Sequence, residues 1–218
     1  MKPYYQDSAV TIYHGDCRQI VPELGSFDLL LTDPPYGVKR DKGFGGFGGF
    51  GGFGKPIPRR QFESDNWDSS RPDNSLFAII LAAAPLAIIW GGNFFADILP
   101  QSTHWIFWDK LQTMPTFGDG EIAWTNSSRK SIKKVTVEWN GLLGKEKTRH
   151  HATQKPLSLI TWCIENYSKA SETILDPFAG SGTTGRAAKD LRRKAVLIEL
   201  EEKYCEIAAQ RMCQEVLF

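Results

Sequence analysis

Short apolar runs alternate with glycine- and proline-rich turns along this chain. Each run is about the length of one strand buried in a sheet. Val10-Thr11-Ile12-Tyr13 reads as the first, and Phe27 to Leu31 as the second. Further strands are expected at Ala87–Trp90, His104–Trp108, Glu121–Trp124, Val135–Trp139, Thr173–Asp176 and Lys194–Ile198, the last ending at Glu199. Helical stretches separate them. Arg18–Leu24 offers one or two turns, and Asn74–Ala84 a helix entered near Asp73 or Asn74. A short helix is expected over Phe94–Leu99 and a longer one over Leu157–Ser168, with Pro156 at its first position. Two more run to about Leu191 and over Glu201–Met212. Strands alternating with helices predict an α/β, doubly wound, mainly parallel sheet.

Two stretches break the pattern. Gly43 to Gly54 repeats Gly-Gly-Phe with a period of three, which suits neither helix nor strand. It reads as a surface loop: either a tolerated repeat, or a lid whose rings stack on unpaired bases. From Leu111 to His151 the periodicity loosens and positive charge accumulates. Arg129, Lys130, Lys133, Lys134, Lys145, Lys147, Arg149, His150 and His151 face only Glu138 and Glu146. Interleaved with Trp124, Trp139 and Asn140, they make either a solvated face or a nucleic-acid surface.

The totals narrow the class. The 218 residues suffice for one large α/β domain, and 41% hydrophobic content supplies a core. A net charge of +1 gives no global attraction to a polyanion, so any nucleic-acid site is a local patch. Cys17, Cys163, Cys205 and Cys213 are far apart, which predicts reduced thiols and no metal site. There is no run of membrane-spanning length and no apolar leader, so a cytoplasmic protein is expected.

The chemistry concentrates at two strand ends. Asp33-Pro34-Pro35-Tyr36 follows the Phe27–Leu31 run. The prolines end the strand and present Asp33 at its carboxyl edge, where open α/β sheets build their sites. A carboxylate, the Pro34 carbonyl and the Tyr36 ring suit a planar group bearing an exocyclic NH2. The plainer alternative is a rigid surface turn. Later, Asp176 precedes Gly180-Ser181-Gly182-Thr183-Thr184-Gly185, a G-x-G-x-x-G run between strand and helix, and Glu199 ends the next strand. An acid at that position binds ribose hydroxyls. Asp176 would repel a pyrophosphate but welcome an α-amino group, which favours S-adenosylmethionine over NAD. Asp16 reads as a helix N-cap, a ligand, or both.

With both motifs in this order, the chain resembles the amino-methylating DNA methyltransferases of the permuted β group. His151-Ala152-Thr153-Gln154-Lys155-Pro156 resembles that group's His-Pro-Thr-Gln-Lys-Pro segment, with Ala152 in place of proline. Trp90-Gly91-Gly92-Asn93-Phe94 and Gly15-Asp16-Cys17 fit as well, whereas the Gly-Phe repeat does not belong to the pattern. The resemblance implies a Rossmann-like sheet of seven strands with a small target-recognition insertion. Residues 1–110 would form the catalytic half, with the Gly-Phe loop at 43–54. Residues 111–151 would read the target, and 152–218 would bind the cofactor. It implies methyl transfer from S-adenosylmethionine to adenine N6 in double-stranded DNA, with the base flipped out. N4-cytosine methylation and a catalytically silent DNA-binding homologue are the alternatives. Asp33, Pro34, Pro35 and Tyr36 would be catalytic. Asp176, Phe178, Ala179, Gly180, Ser181, Gly182, Thr183 and Glu199 would line the cofactor, with Asp16 and Cys17 by its adenine. Thr153 and Lys155 would sit near its carboxylate. A homodimer and a cognate restriction endonuclease are left open as partners.

Overall fold

The computed structural model describes residues 1–38, 71–111, 118–138 and 154–214. The Gly-Phe repeat, Thr153 and the basic residues between 139 and 151 lie outside them. The strands are β1 (Tyr5–Gln6), β2 (Val10–His14), β3 (Leu29–Thr32), β4 (Leu86–Trp90), β5 (His104–Asp109), β6 (Gly120–Thr125), β7 (Ile132–Thr136), β8 (Thr173–Asp176) and β9 (Lys194–Glu199). They form one sheet in the order β1-β2-β9-β8-β3-β4-β6-β5-β7. The five central strands from β2 to β4 are mutually parallel, and β6 runs against both its neighbours.

The sheet has nine strands among the described residues, not the seven expected. β1 is a two-residue hairpin arm folded back on β2, held by Asp7, whose Oδ1 accepts from the Ala9 and Val10 amides at 2.8 and 2.7 Å. β7 lies at the opposite edge, beside β5, and covers Ile132–Thr136 instead of 135–139. Only Val135 of β7 is buried, so its lysines face solvent and hide the period on which a sequence reading depends. β6 and β7 also place much of segment 111–151 inside the sheet.

Helices cover both faces, which is why the central strands read as unbroken apolar runs. Leu29, Leu31, Ile88 and Trp90 pack with α3 (Leu157–Tyr167), α4 (Thr183–Asp190) and α5 (Glu202–Met212). Leu30, Ile89, Leu175 and Ile198 pack on the other side with α1 (Cys17–Ile20) and α2 (Asn74–Ala82). Asp73 caps α2 by accepting from the Leu76 amide at 2.9 Å. α3 starts at Leu157 as expected, with Pro156 as its N-cap instead of its first helical residue. Segment 94–99 is not a regular helix: a 3-10 turn over Gly92–Phe95 is followed by loose turns.

The crossover through α2 carries the chain from β3 to β4, and the one through α4 carries it from β8 to β9 in the opposite direction. The switch falls between β3 and β8, which pair directly, Leu30 beside Leu175. Their carboxyl ends therefore open a crevice.

Gly182 ends the glycine run at φ +79°, and a Cβ there would lie 2.8 Å from the Ala208 Cβ of α5. Gly182→Ala should cost about 1–3 kcal/mol through backbone strain and overpacking. The urea midpoint reads this, and an unchanged midpoint would contradict such close packing of α4 on α5.

Candidate active site

The crevice is a cleft of about 520 Å³ at the carboxyl ends of β2, β9, β8 and β3. It is lined by Asp16, Cys17, Asp33, Pro35, Lys155, Asp176, Phe178, Ala179, Gly180, Ser181, Thr183 and Glu199. Twelve residues from distant parts of the sequence reading thus share one cavity. Three described ones lie elsewhere. Pro34 is buried, Gly182 packs against α5, and Tyr36 lines a second cleft of about 300 Å³ with Gly91, Asn93, Phe94 and Glu121.

On the β8 side the acids are held by neutral donors. Asp176 is buried and accepts from Thr32 Oγ1 at 2.7 Å, Thr184 Oγ1 at 2.6 Å and the Phe178 amide at 3.1 Å. The Thr32 bond ties β3 to β8 at the crevice floor. Burial, reinforced by the charge of Asp33 and opposed by the three hydrogen bonds, lifts Asp176 to about 6. Glu199 accepts from the amides of Gly180 at 2.7 Å and Glu201 at 2.9 Å, and burial raises its pKa as well. Gly180 sits at φ +50°, and a Cβ there would meet nothing within 4 Å. The glycine suits the left-handed turn and leaves the cleft open beside Glu199. Asp16 both lines the cleft and caps α1, accepting from the Arg18 amide at 2.8 Å.

On the other side of the crevice the holders are cationic or phenolic. Tyr36 donates to Asp33 Oδ1 at 2.6 Å, and Lys155 Nζ lies 2.5 Å from Asp33 Oδ2. Burial and the neighbouring Asp33 push the Tyr36 hydroxyl well above its usual pKa, so it stays a donor. Its ring stacks on Phe94, centroids 4.6 Å apart and 15° from parallel. Gly91 makes room: at φ +68°, a Cβ would come within 2.2 Å of the Tyr36 ring. The Trp90–Gly92 turn is thus the seat of Tyr36.

The Lys155 ammonium, in the wall of the cleft, is buried and engaged by Asp33 and by Glu121 Oε2, at 3.1 Å. Burial pulls its pKa down, but Asp33, Glu121 and Tyr36 outweigh that and hold it well above the usual lysine value. Glu121 was missed, since nothing in its local sequence sets it apart. Gln154, Thr32, Thr184 and Trp90 also line the cleft unforeseen. The threonines were legible only as neighbours of Asp33 and Gly182.

The comparisons with known proteins point the same way. A family model described as DNA methylase, of the N6/N4 type, matches residues 86–210. The chain belongs to this family. The match runs from β4 to α5 and contains the Asp176 and Glu199 half of the crevice. Across 97% of its length the chain is 28% identical to the Type II methyltransferase M.HinfI of Haemophilus influenzae, covering 70% of that protein. It is 27% identical to M2.LlaDCHI of Lactococcus lactis subsp. cremoris, covering 92% of it. In fold it resembles the M1.HpyAVI–SAM complex, with a TM-score of 0.60 and 24% identity over 94% of this chain and 100% of that one. It also resembles the cytosine-N4-specific PvuII DNA methyltransferase, with a TM-score of 0.63 and 14% identity over 100% of this chain and 91% of that one.

The raised pKa of Asp176 has a stability consequence. Below about pH 3 the carboxyl is protonated in folded and unfolded chains alike. As pH rises towards 6 the unfolded chain ionises first, so the folded state loses ground. Without ligand, wild type should lose about 2 kcal/mol relative to Asp176→Asn between pH 4 and pH 7. Urea titrations of both proteins across that range test it. A pH-independent difference would mean that Asp176 titrates normally.

Proposed function

We propose that this family member transfers a methyl group from S-adenosylmethionine to the N6 amino group of adenine in double-stranded DNA. The observation that carries the reading is the crevice itself: Asp33 with Tyr36 on one side of the β3–β8 junction, Asp176 with Glu199 on the other, joined through Thr32.

The residues of the β8 half fit the cofactor. Two acids without a lysine between them disfavour a pyrophosphate and suit an α-amino group and ribose hydroxyls. Asp176 would hold the amino group, and Glu199, already fixed by two amides, would take the ribose. Phe178, Ala179, Gly180, Ser181 and Thr183 would follow the cofactor's length, and Asp16 and Cys17 would flank its adenine. Among the described residues the buried Nε1 of Trp90 has no hydrogen-bond partner, although the indoles of Trp105, Trp108 and Trp124 all donate to carbonyls. An orphan donor in a residue that lines the cleft is what a carboxylate ligand would satisfy. Bound there, the cofactor supplies an electrophilic methyl group.

Asp33 and the Pro34 carbonyl would each accept one N–H of the target amino group, concentrating its lone pair. Asp33 would also stabilise the positive charge that grows on that nitrogen and help its proton leave. Tyr36, seated on Phe94, would set the plane of the base. A base inside a duplex cannot reach this crevice, so the reading includes flipping. Segment 111–151 would carry recognition. Of its described residues, Arg129, Lys130, Lys133 and Lys134 gather around the β7 edge, with Lys134 paired to Asp109 at 2.7 Å. The relatives' Type II designation supports a restriction-modification setting.

N4-cytosine methylation needs the same geometry, and the PvuII enzyme shows that the fold serves it. An aspartate at position 33 favours adenine. The test is transfer from labelled S-adenosylmethionine to unmethylated bacterial DNA, with nucleosides resolved by mass spectrometry. N6-methyladenine is expected, and Asp33→Ala should abolish it while cofactor binding survives. N4-methylcytosine would overturn the base assignment. No label despite cofactor binding would redirect the search to RNA or protein amides, and no binding would favour a silent DNA-binding role.

A further inference from the structure

Resting on that reading, we propose that Glu121 is a positioning residue for Asp33 and acts through Lys155. Lys155 Nζ stands between three groups: Asp33 Oδ2 at 2.5 Å, Glu121 Oε2 at 3.1 Å and the Tyr36 hydroxyl at 3.3 Å. Glu121 is anchored from its other oxygen by Lys110 at 2.6 Å. It projects from β6, where it pairs in register with Trp108, and Lys110 lies over the Trp108 ring at 4.7 Å. The residue thus reaches Lys155, in the crevice wall, from a strand that carries no motif.

The arrangement solves an electrostatic conflict. Asp33 must accept hydrogen bonds from an amino group on which positive charge develops. An ammonium in full contact with Asp33 alone would cancel the carboxylate where that charge grows. With Glu121 sharing the ammonium, Asp33, Lys155 and Glu121 carry one net negative charge, and Lys110, on the other Glu121 oxygen, brings the four groups to neutrality. Lys155 then fixes the orientation of Asp33 without neutralising it. The two lysines outweigh the effect of burial and hold Glu121 at about 2, so it stays charged across the working pH range.

Glu121→Gln keeps the shape and removes the charge. With saturating labelled cofactor and unmethylated bacterial DNA, its kcat should fall about tenfold, while cofactor affinity changes less than about twofold. In a Lys155→Met background the same substitution should change kcat less than about twofold, because the residue through which it acts is gone. An unchanged kcat in the single variant overturns the proposal, as does an equal loss in both backgrounds. Should Glu121→Gln fail to bind cofactor, Glu121→Asp decides. It keeps the charge and should stay within about threefold of wild type, and a tenfold loss there overturns the proposal too. If wild type transfers no methyl group, the functional reading falls and this inference with it. If wild type is active and Glu121→Gln matches it, only this inference falls.

Discussion

Asp33, Asp176 and Glu199 line one crevice and Glu121 lines the smaller cleft beside it, and the structure around them follows from how their charge is held. Asp176 and Glu199 come from the carboxyl ends of β8 and β9. Asp33 follows β3, and Glu121 stands near the start of antiparallel β6. The first two rely on hydroxyl and amide donors alone. The other two share lysines. The division is chemical as well as spatial. A cationic ligand can approach Asp176 because, among the described residues, no ion pair occupies that carboxylate, whereas Asp33 is held in place by a cation whose charge Glu121 offsets.

Backbone geometry makes this crowding tolerable. Gly91 and Gly180 each take a left-handed conformation at the carboxyl edge of the sheet. The first lets Tyr36 lie against the β4 turn, and the second leaves space beside Glu199. The sheet is continuous from β2 to β7, so the Asp33 and Asp176 sides of the crevice belong to one sheet. Its first long strand, β2, pairs in parallel with its last, β9, and so closes the Asp176–Glu199 side from the other end of the chain.

The central strands, the helix starts at Asp16 and Asp73, and the two acidic strand ends were readable because each rests on local chemistry. An apolar run needs two covered faces, and an aspartate before a helix caps it. Proline and glycine then mark where a strand must stop. Gly91 and Gly92 at the end of β4 allow close approach, against Tyr36 and Trp124. What could not be read depends on partners distant in sequence. Nothing near Glu121 or Lys155 tells that they meet 34 residues apart in number, with Lys155 between Glu121 and Asp33 in space. β7 escaped its true register because an exposed edge strand has no need to alternate. Its fold neighbours include a cytosine-N4-specific enzyme, so the identity of the target base is a property of the site and not of the sheet.

Asp176 links stability to function. Its carboxyl is buried with no counter-ion among the described residues, and near neutral pH it carries a charge that burial disfavours. A sequence selected only for folding would place an apolar or amide side chain there. Keeping the aspartate makes sense if a cation completes the site, since that cation regains the electrostatic energy the empty fold gives up. The same linkage requires that binding such a cation releases protons below about pH 6, and that its affinity weakens as Asp176 protonates. The Asp33 half has no such gap, because Lys155 is already in place. On the proposed reading the two halves are therefore prepared differently: one is prearranged for the base, and the other is left short of one positive charge until the methyl donor arrives.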